Sequence, residues 1–206
     1  MKKLISIVLS VALLFGLSVP AYAAESFSDN SSVYSKQIIT ITTKEERDAI
    51  HEKAMEEIMS EIIKNDSVAR GPQYHYRSDF LPYEYKYLSG FAGNQLRDGY
   101  KFPTGGGFYY SDSGGPSVSG SFNVSLPKPY DVVSLSVNLG VKSDSGGQFV
   151  IAPSTTKFYK LYVTKKIEVR PHITYRARPG TDDWEFVSAG AVNIPVAAIP
   201  EAKEVK

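Results

Sequence analysis

The chain has 206 residues, no cysteine and a formal net charge of +1 at pH 7. The absence of cysteine excludes disulfide bonds, zinc–thiolate sites, iron–sulfur clusters and a cysteine nucleophile, and the near-neutral charge gives no reason to expect nucleic acid as a partner. Fourteen tyrosines, ten phenylalanines and one tryptophan favour strands over helices.

Residues 1–23 have the pattern of a secretory signal peptide. Met1-Lys2-Lys3 is a short basic segment, residues 4–19 are mostly apolar, and Ala21 and Ala23 are the small residues that a signal peptidase reads. Cleavage after Ala23 removes two lysines and leaves 183 of the 206 residues, with 21 basic against 22 acidic side chains. We therefore expect one secreted, extracellular domain from a bacterial, Gram-positive source, without a transmembrane, lipoprotein or sortase anchor.

A polar arm and one helix follow the signal segment. Residues 24–42 begin as a small, polar arm and continue into a possible strand rich in isoleucine. Thr43 and Glu46 have the spacing of a helix capping box, and apolar residues recur every four positions from Ile50 to Ile62. This spacing predicts an amphipathic helix over 43–66, and its other face is acidic, with eight Asp or Glu against four Lys or Arg.

From residue 67 to residue 206 the sequence predicts a β-rich domain that packs with the helix. Its first part, residues 74–110, holds twelve aromatic side chains among scattered glycines and prolines. Two uses of these rings stay open. If Tyr83, Tyr85 and Tyr87 are exposed, they can stack on the sugar rings of a glycan, and if they are buried, they fill the core of a disulfide-free domain.

The pentapeptide Ser-Asp-Ser-Gly-Gly occurs at 111–115 and again at 143–147. The first copy, which a proline follows, resembles the nucleophile motif of trypsin-like serine proteases, and the resemblance implies Ser113 as a nucleophile. A repeated turn explains both copies better, because Asp and Ser side chains bond to local backbone and glycine adopts positive φ.

The three histidines have no metal-ligand spacing: His51, His75 and His172. We therefore expect no catalytic residue, cofactor or metal site, and a protein that is not an enzyme.

Two strands with strict alternation come next. Residues 117–126 and 132–141 alternate Val, Leu or Phe with Ser or Asn, and residues 127–130 suit a turn that joins them into a hairpin. This serine-rich hairpin, 117–141, resembles the membrane-inserting hairpins of β-pore-forming toxins, in which the apolar row faces lipid and the polar row faces the pore. An ordinary sandwich strand shows the same alternation, so both interpretations stay open.

Residues 157–178 predict a long strand with a basic polar face. The segment holds seven Lys or Arg and one Glu, and alternation places most of these side chains in one row. The candidate binding residues in this row are Lys160, Lys166, Arg170, Arg176 and Arg178. Such a row can bind an anionic cell-wall polymer such as teichoic acid, or acidic lipid headgroups, unless the acidic helix pairs with it. Lys165 falls on the apolar face, which predicts a bulge or an edge position there.

These patterns, with a last strand or two over 183–196, predict a mainly β fold. We expect an antiparallel β-sandwich or barrel-like sheet with one amphipathic helix near the mature N-terminus. The function expected is that of a secreted, non-enzymatic binding or surface-associated protein, whose ligand is an anionic cell-wall polymer or glycan. The alternative is a secreted membrane-active protein that acts through the serine-rich hairpin, and a hydrolase comes third because no set of His, acid and nucleophile converges.

Overall fold

The computed structural model describes residues 37–68, 74–113, 118–126 and 132–205. The predicted signal peptide and polar arm lie outside this range. The fold is mainly β, as the sequence predicts, with antiparallel sheets, one of them curled into a half-barrel, and one helix in the N-terminal region. In chain order the elements are β1 (Ile39–Thr40), α1 (Lys44–Val68), β2 (His75–Phe80), β3 (Glu84–Phe91), β4 (Gly107–Ser111), β5 (Ser119–Ser125), β6 (Val132–Asn138), β7 (Val141–Ser143), β8 (Gln148–Ile151), β9 (Tyr159–Ala177) and β10 (Glu185–Glu204).

A five-stranded sheet built on β9 and β10 forms the frame of the protein. These two long strands pair antiparallel from Tyr159 opposite Glu204 to Arg176 opposite Glu185. β1 pairs with β10, and β2 and β3 pair with successive stretches of β9. β10 is one continuous strand that runs beyond the predicted 183–196, and Pro195 lies at a register shift, where a missing N–H does least damage.

Two smaller sheets complete the β structure. β4, β7 and β8 form a three-stranded sheet in the order β7-β4-β8. β5 and β6 form a two-stranded sheet, with Phe122 opposite Leu135 and Val124 opposite Val133. The predicted pairing of the two serine-rich strands is therefore confirmed, and their turn at 127–131 lies outside the described residues.

The inner face of β9 carries two apolar cores. Leu161 and Val163 belong to the first, which includes Phe108, Tyr110 and Val150 of the three-stranded sheet. The second core lies under the serine-rich hairpin and consists of Val124, Val137, Ile167 and Val169. Because burying each such aliphatic side chain contributes about 1.5–3 kcal/mol, the alternation seen in the sequence is enough to dock the hairpin.

Lys165 lies between the two cores and corrects one prediction. It is 1% exposed and forms an ion pair with Asp112. The expected edge position is wrong, because β9 is paired on both sides here, with Leu88 of β3 and Ala198 of β10 opposite Lys165. The irregularity belongs to the neighbouring strand, where the register of β10 shifts between Pro195 and Ala197. An anionic partner, rather than access to solvent, makes the buried ammonium tolerable.

α1 begins with the predicted capping box. Glu46 N–H donates to Thr43 Oγ1 at 3.2 Å, and Thr43 N–H donates to a Glu46 carboxylate oxygen at 2.7 Å. Ala54 and Met55 of the apolar stripe are buried, whereas Ile63 is exposed. The predicted helix is thus present, and it extends to Val68, two residues beyond the predicted end.

Candidate binding surface

The outer face of the five-stranded sheet is the face opposite the two cores, and α1 lies along half of it. Three ion pairs trace the path of the helix. Arg47 Nε lies 2.9 Å from Glu168, Arg170 lies 2.6 Å from Asp48, and Arg176 lies 3.0 Å from Asp66. The helix therefore covers the outer row of β9 from Glu168 to Arg176 and, among the residues that the structure describes, leaves the row from Lys160 to Lys166 uncovered.

Under the helix, the charges of the row are paired. Glu168 is 1% exposed and accepts hydrogen bonds from Arg47 at 2.9 Å and from Arg170 at 2.6 Å. Burial acts to raise the pKa of the Glu168 carboxyl, but the two guanidinium groups outweigh it and hold that pKa below its usual value. Hydrogen bonds from Arg170 and Lys44 likewise lower the pKa of Asp48. Arg170 and Arg176, both predicted binding residues, thus hold the helix on the sheet.

The open half of the outer face combines exposed rings with lysines. β3 lies beside β9 with Tyr87 opposite Lys166 and Phe91 opposite Tyr162, so aromatic and basic side chains share one surface. The exposed fraction is 56% for Tyr83, 40% for Tyr85 and 64% for Tyr87, which identifies these tyrosines as surface residues rather than core. We call this surface the aromatic–lysine face and define it by Tyr85, Tyr87, Phe91, Lys160, Tyr162, Lys166 and Lys203.

Cation–π contacts order the lysines of this face. Lys166 Nζ lies 3.9 Å from the centre of the Tyr85 ring, and Lys203 Nζ lies 4.1 Å from that of Tyr162. Lys160 Nζ lies 4.8 Å from the Phe91 ring, which meets the Tyr162 ring edge to face at 5.2 Å. An ammonium that lies over an exposed ring loses little of its hydration. The side of the ammonium that faces away from the ring can therefore pair with an anion.

A cleft borders the aromatic–lysine face. It has a volume of about 330 Å³ and lies between the first turns of α1 and the segment that connects β2 to β3. Lys44, Arg47, Arg170 and Tyr83 are among its lining residues, and so are two acids, Asp48 and Glu168. Three cations against two acids leave the lining of the cleft with a net charge of +1, and each of these side chains takes part in an ion pair.

The structure brings together some of the predicted binding residues and separates the others. Tyr85, Tyr87, Lys160 and Lys166 lie on one surface, with Tyr83 at its border. Arg178 follows the end of β9 and lines a separate cleft of about 210 Å³ with Asp183 and Glu185. Three members of the face are not among the predicted binding residues, namely Phe91, Tyr162 and Lys203, although alternation along residues 157–178 already places Tyr162 in the polar row. The first two continue the period-two spacing of β3 and β9, which is a signal the sequence holds, whereas Lys203 required the register of β10.

The first three residues of the repeated pentapeptide make the same hydrogen bonds in both copies, and residues 114–115 of the first copy lie outside the described residues. Ser111 Oγ donates to Ser113 O at 2.7 Å, and Ser143 Oγ donates to Ser145 O at 2.7 Å. The exposed Ser113 also donates its N–H to Ser111 Oγ, as Ser145 does to Ser143 Oγ. In the second copy a Cβ at Gly147 would lie 2.1 Å from Tyr110 O, so glycine is required there. These hydrogen bonds support the repeated-turn interpretation of the motif.

Among residues 37–68, 74–113, 118–126 and 132–205, no three His, Asp or Glu side chains are placed to hold a metal ion. The one helix of these ranges, α1, is not apolar enough to cross a membrane. Comparison of the chain with protein-family models, with curated proteins and with solved structures finds no match.

Proposed function

We propose that the protein is a secreted, non-enzymatic binding protein and that its aromatic–lysine face binds an anionic polysaccharide of the bacterial cell wall. The observation that carries the proposal is that the exposed Tyr87 and the half-buried Lys166 occupy directly opposed positions of β3 and β9 on the outer face. Rings of this kind stack on the apolar faces of sugars, and lysines pair with the phosphate or carboxylate groups of an acidic polymer. Secretion rests on the signal-peptide pattern of residues 1–23.

The shape of the face favours a polymer over an isolated headgroup. Lys160 and Lys166 stand six residues apart on one strand, about 20 Å at the usual rise of a strand. Three lysines against one acid, Glu201, which faces the same side opposite Tyr162, leave the surface positive. An extended chain with regularly spaced anions and sugar rings can contact both residue types along this length, and binding of this kind weakens as salt screens the charges.

Cosedimentation with purified cell walls tests the proposal. Walls are compared before and after removal of their anionic polymer, and the dissociation constant is measured at rising salt. We expect Tyr87→Ala, and separately Lys166→Gln with Lys203→Gln, to weaken binding about tenfold each, equivalent to about 1.4 kcal/mol. Only the lysine variant should also reduce the change of the dissociation constant with salt, because Tyr87→Ala removes no charge.

Two matched controls test whether the effect is local. Arg178→Gln removes one positive charge at the far end of β9, and Tyr109→Ala removes a ring that is 39% exposed in the three-stranded sheet. Both should bind within twofold of the unaltered protein. Equal binding to stripped walls would remove the anionic polymer as ligand, and binding to anionic vesicles alone would assign the face to lipid headgroups.

A further inference from the structure

The exposed row of the serine-rich hairpin carries no charge. Apart from Val132 at the start of β6, it consists of serine and asparagine side chains, namely Ser119, Ser121, Asn123 and Ser125 on β5 and Ser134, Ser136 and Asn138 on β6. No Asp, Glu, Lys or Arg occurs in residues 117–126 or 132–141. Exposed strands of soluble proteins usually carry charge, as the outer row of β9 does here. An uncharged polar row opposite an apolar row is the pattern of a strand between lipid and an aqueous pore.

Over residues 118–126 and 132–139 the hairpin is held to the rest of the molecule by side chains, and its backbone joins the domain at Gly140, whose carbonyl accepts from Gly93 N–H at 2.9 Å, and at Val141, which pairs with Ser111. Within the described residues β5 and β6 form a sheet of their own, and their apolar row packs on the inner face of β9. Val124 and Val137 are 1% and 4% exposed in this core. Ala191 of β10 packs against the same core, and Asn193 Nδ2 of β10 donates to Ser136 O at 2.9 Å. The hairpin can therefore leave the sheet with its own ladder of backbone hydrogen bonds intact.

A polar boundary separates the core of the hairpin from the core of the domain. On β9, Val163 belongs to the first core and Ile167 to the second, and the buried Lys165 stands between them. Lys165 pairs with Asp112, and the Tyr110 hydroxyl donates to the same carboxylate at 2.7 Å. Because the ion pair already interrupts the apolar packing, removal of the hairpin exposes the second core without opening the first.

We propose a second activity, separate from polymer binding: the serine-rich hairpin undocks from β9 and inserts into a lipid bilayer. Residues 118–126 and 132–139 supply nine and eight residues, which is close to the length of a strand that crosses a bilayer. Val, Leu and Phe then face lipid, and Ser and Asn face water. A lone hairpin would leave unpaired backbone groups in lipid, so hairpins of several copies must close into a ring around a pore.

A disulfide that ties the hairpin to the sheet tests the proposal. A Cβ at Gly120 would lie 3.1 Å from Leu88 Cγ, the side-chain position that a cysteine sulfur replaces, so Leu88→Cys with Gly120→Cys brings two cysteines into contact, and the chain has no other cysteine. The purified protein should release dye from vesicles of phosphatidylcholine and phosphatidylglycerol. The oxidised variant should release less than a tenth as much, and its reduction should restore release.

The control disulfide joins two strands without touching the hairpin. Ser89 Oγ and Thr164 Oγ1 lie 2.8 Å apart on the outer face, so Ser89→Cys with Thr164→Cys ties β3 to β9. This variant should release dye in both redox states. Release by the oxidised Leu88→Cys, Gly120→Cys protein, or no release by the unaltered protein from these vesicles, overturns the proposal.

A fluorophore on the hairpin gives a readout that does not depend on the disulfide. Leu135→Cys and Ser136→Cys are labelled in turn, because the two side chains point to opposite faces of β6. On vesicles that contain nitroxide-labelled lipid, the probe at position 135 should be quenched and the probe at 136 should not. Equal quenching at both positions, or none at either, contradicts insertion of this hairpin even if the disulfide variant fails to fold.

Discussion

At the scale of single residues, the ion pair of Lys165 and Asp112 is the most consequential contact in the protein. The ammonium is 1% exposed, whereas the Asp112 side chain keeps 40% of its surface. In the second copy of the repeat, the corresponding aspartate is Asp144. It is 85% exposed and forms an ion pair with Lys142 at 2.5 Å. The same aspartate in the same turn thus has a buried partner in one copy and a partly exposed one in the other.

This difference predicts unequal effects of one substitution. Asp112→Asn leaves a buried ammonium without its counter-charge and should lower the free energy of unfolding by about 3 kcal/mol, while the amide oxygen still accepts from Tyr110. Asp144→Asn should cost less than about 1 kcal/mol, as surface ion pairs do. Lys165→Met should be milder than Asp112→Asn, because the aspartate left behind reaches water. Urea unfolding monitored by tyrosine and tryptophan fluorescence measures all three, and equal losses at the two aspartates would contradict the burial argument.

Alternation in the sequence placed Lys165 on the apolar face correctly, but it could not predict that Asp112 would be the ion-pair partner. A lysine between Val163 and Ile167 is explained from sequence only by an edge or a bulge, because no local residue neutralises it. Asp112 comes from a distant turn, and its approach depends on how the three-stranded sheet packs on β9. The tyrosines of β3 pose the same problem, since Tyr85 and Tyr87 fit a core face and an exposed face equally well until the position of α1 is known.

At the scale of elements, sequence patterns identify those whose two faces meet different environments. α1 has a capping box and one apolar stripe, and β5 and β6 each have one buried row, so all three are predictable. β10 is not, because its alanines, glycine and prolines give no alternation and its length is set by pairing with β9. The docking of α1 on half of the outer face is likewise a tertiary effect, although the acidity of the helix and the basicity of β9 made it one of two open interpretations.

The interface between α1 and the sheet contains a buried histidine, His172, and a half-buried one, His51, and both make stability depend on pH. His172 of β9 is 3% exposed, and burial, with a smaller effect of His51, lowers its pKa to about 4. Burial also lowers the pKa of His51 on α1, as does the charge of Arg170. Within the described part of the chain, His51 Nε2 and His172 Nδ1 have no hydrogen-bond partner. Asp48, Glu52, Glu168 and Arg170 are the charged groups around His51.

Stability should therefore fall as the solution is acidified below pH 6.5. The unfolded chain protonates His172 near pH 6.5 and the folded chain near pH 4, so between these values the unfolded state binds more protons. From pH 7 to pH 5 this single group should remove about 2 kcal/mol from the free energy of unfolding. The carboxyls of Asp48 and Glu168, whose pKa values are lowered, add their own loss only at lower pH.

Chemical denaturation across this pH range measures the effect. His172→Gln should remove most of the slope between pH 7 and pH 5, because a neutral amide does not titrate, and His51 accounts for the remainder. His75→Gln serves as the matched control, since His75 is exposed at the start of β2, and it should leave the slope unchanged. An unaltered slope in His172→Gln would show that the buried imidazole is not the group that titrates.

At the scale of the whole molecule, β9 separates two surfaces. Its outer row, with Lys160, Tyr162 and Lys166, contributes to the aromatic–lysine face, and its inner row, with Ile167 and Val169, holds the serine-rich hairpin. Side chains that alternate along one strand point to opposite faces of the sheet, so each row of β9 belongs to a different surface. The two proposed activities therefore share a strand and no side chain, so they should be separable by mutation.

A double dissociation tests this arrangement. Tyr87→Ala with Lys166→Gln should lose binding to intact cell walls and still release dye from vesicles within about twofold of the unaltered protein. The oxidised Leu88→Cys, Gly120→Cys protein should show the reverse, because its disulfide joins two inner-face positions and leaves the outer face unchanged. Circular dichroism confirms that both variants are folded. If either folded variant lost both activities in the same proportion, the two surfaces would be parts of one site, and the opposite faces of β9 could not account for the function.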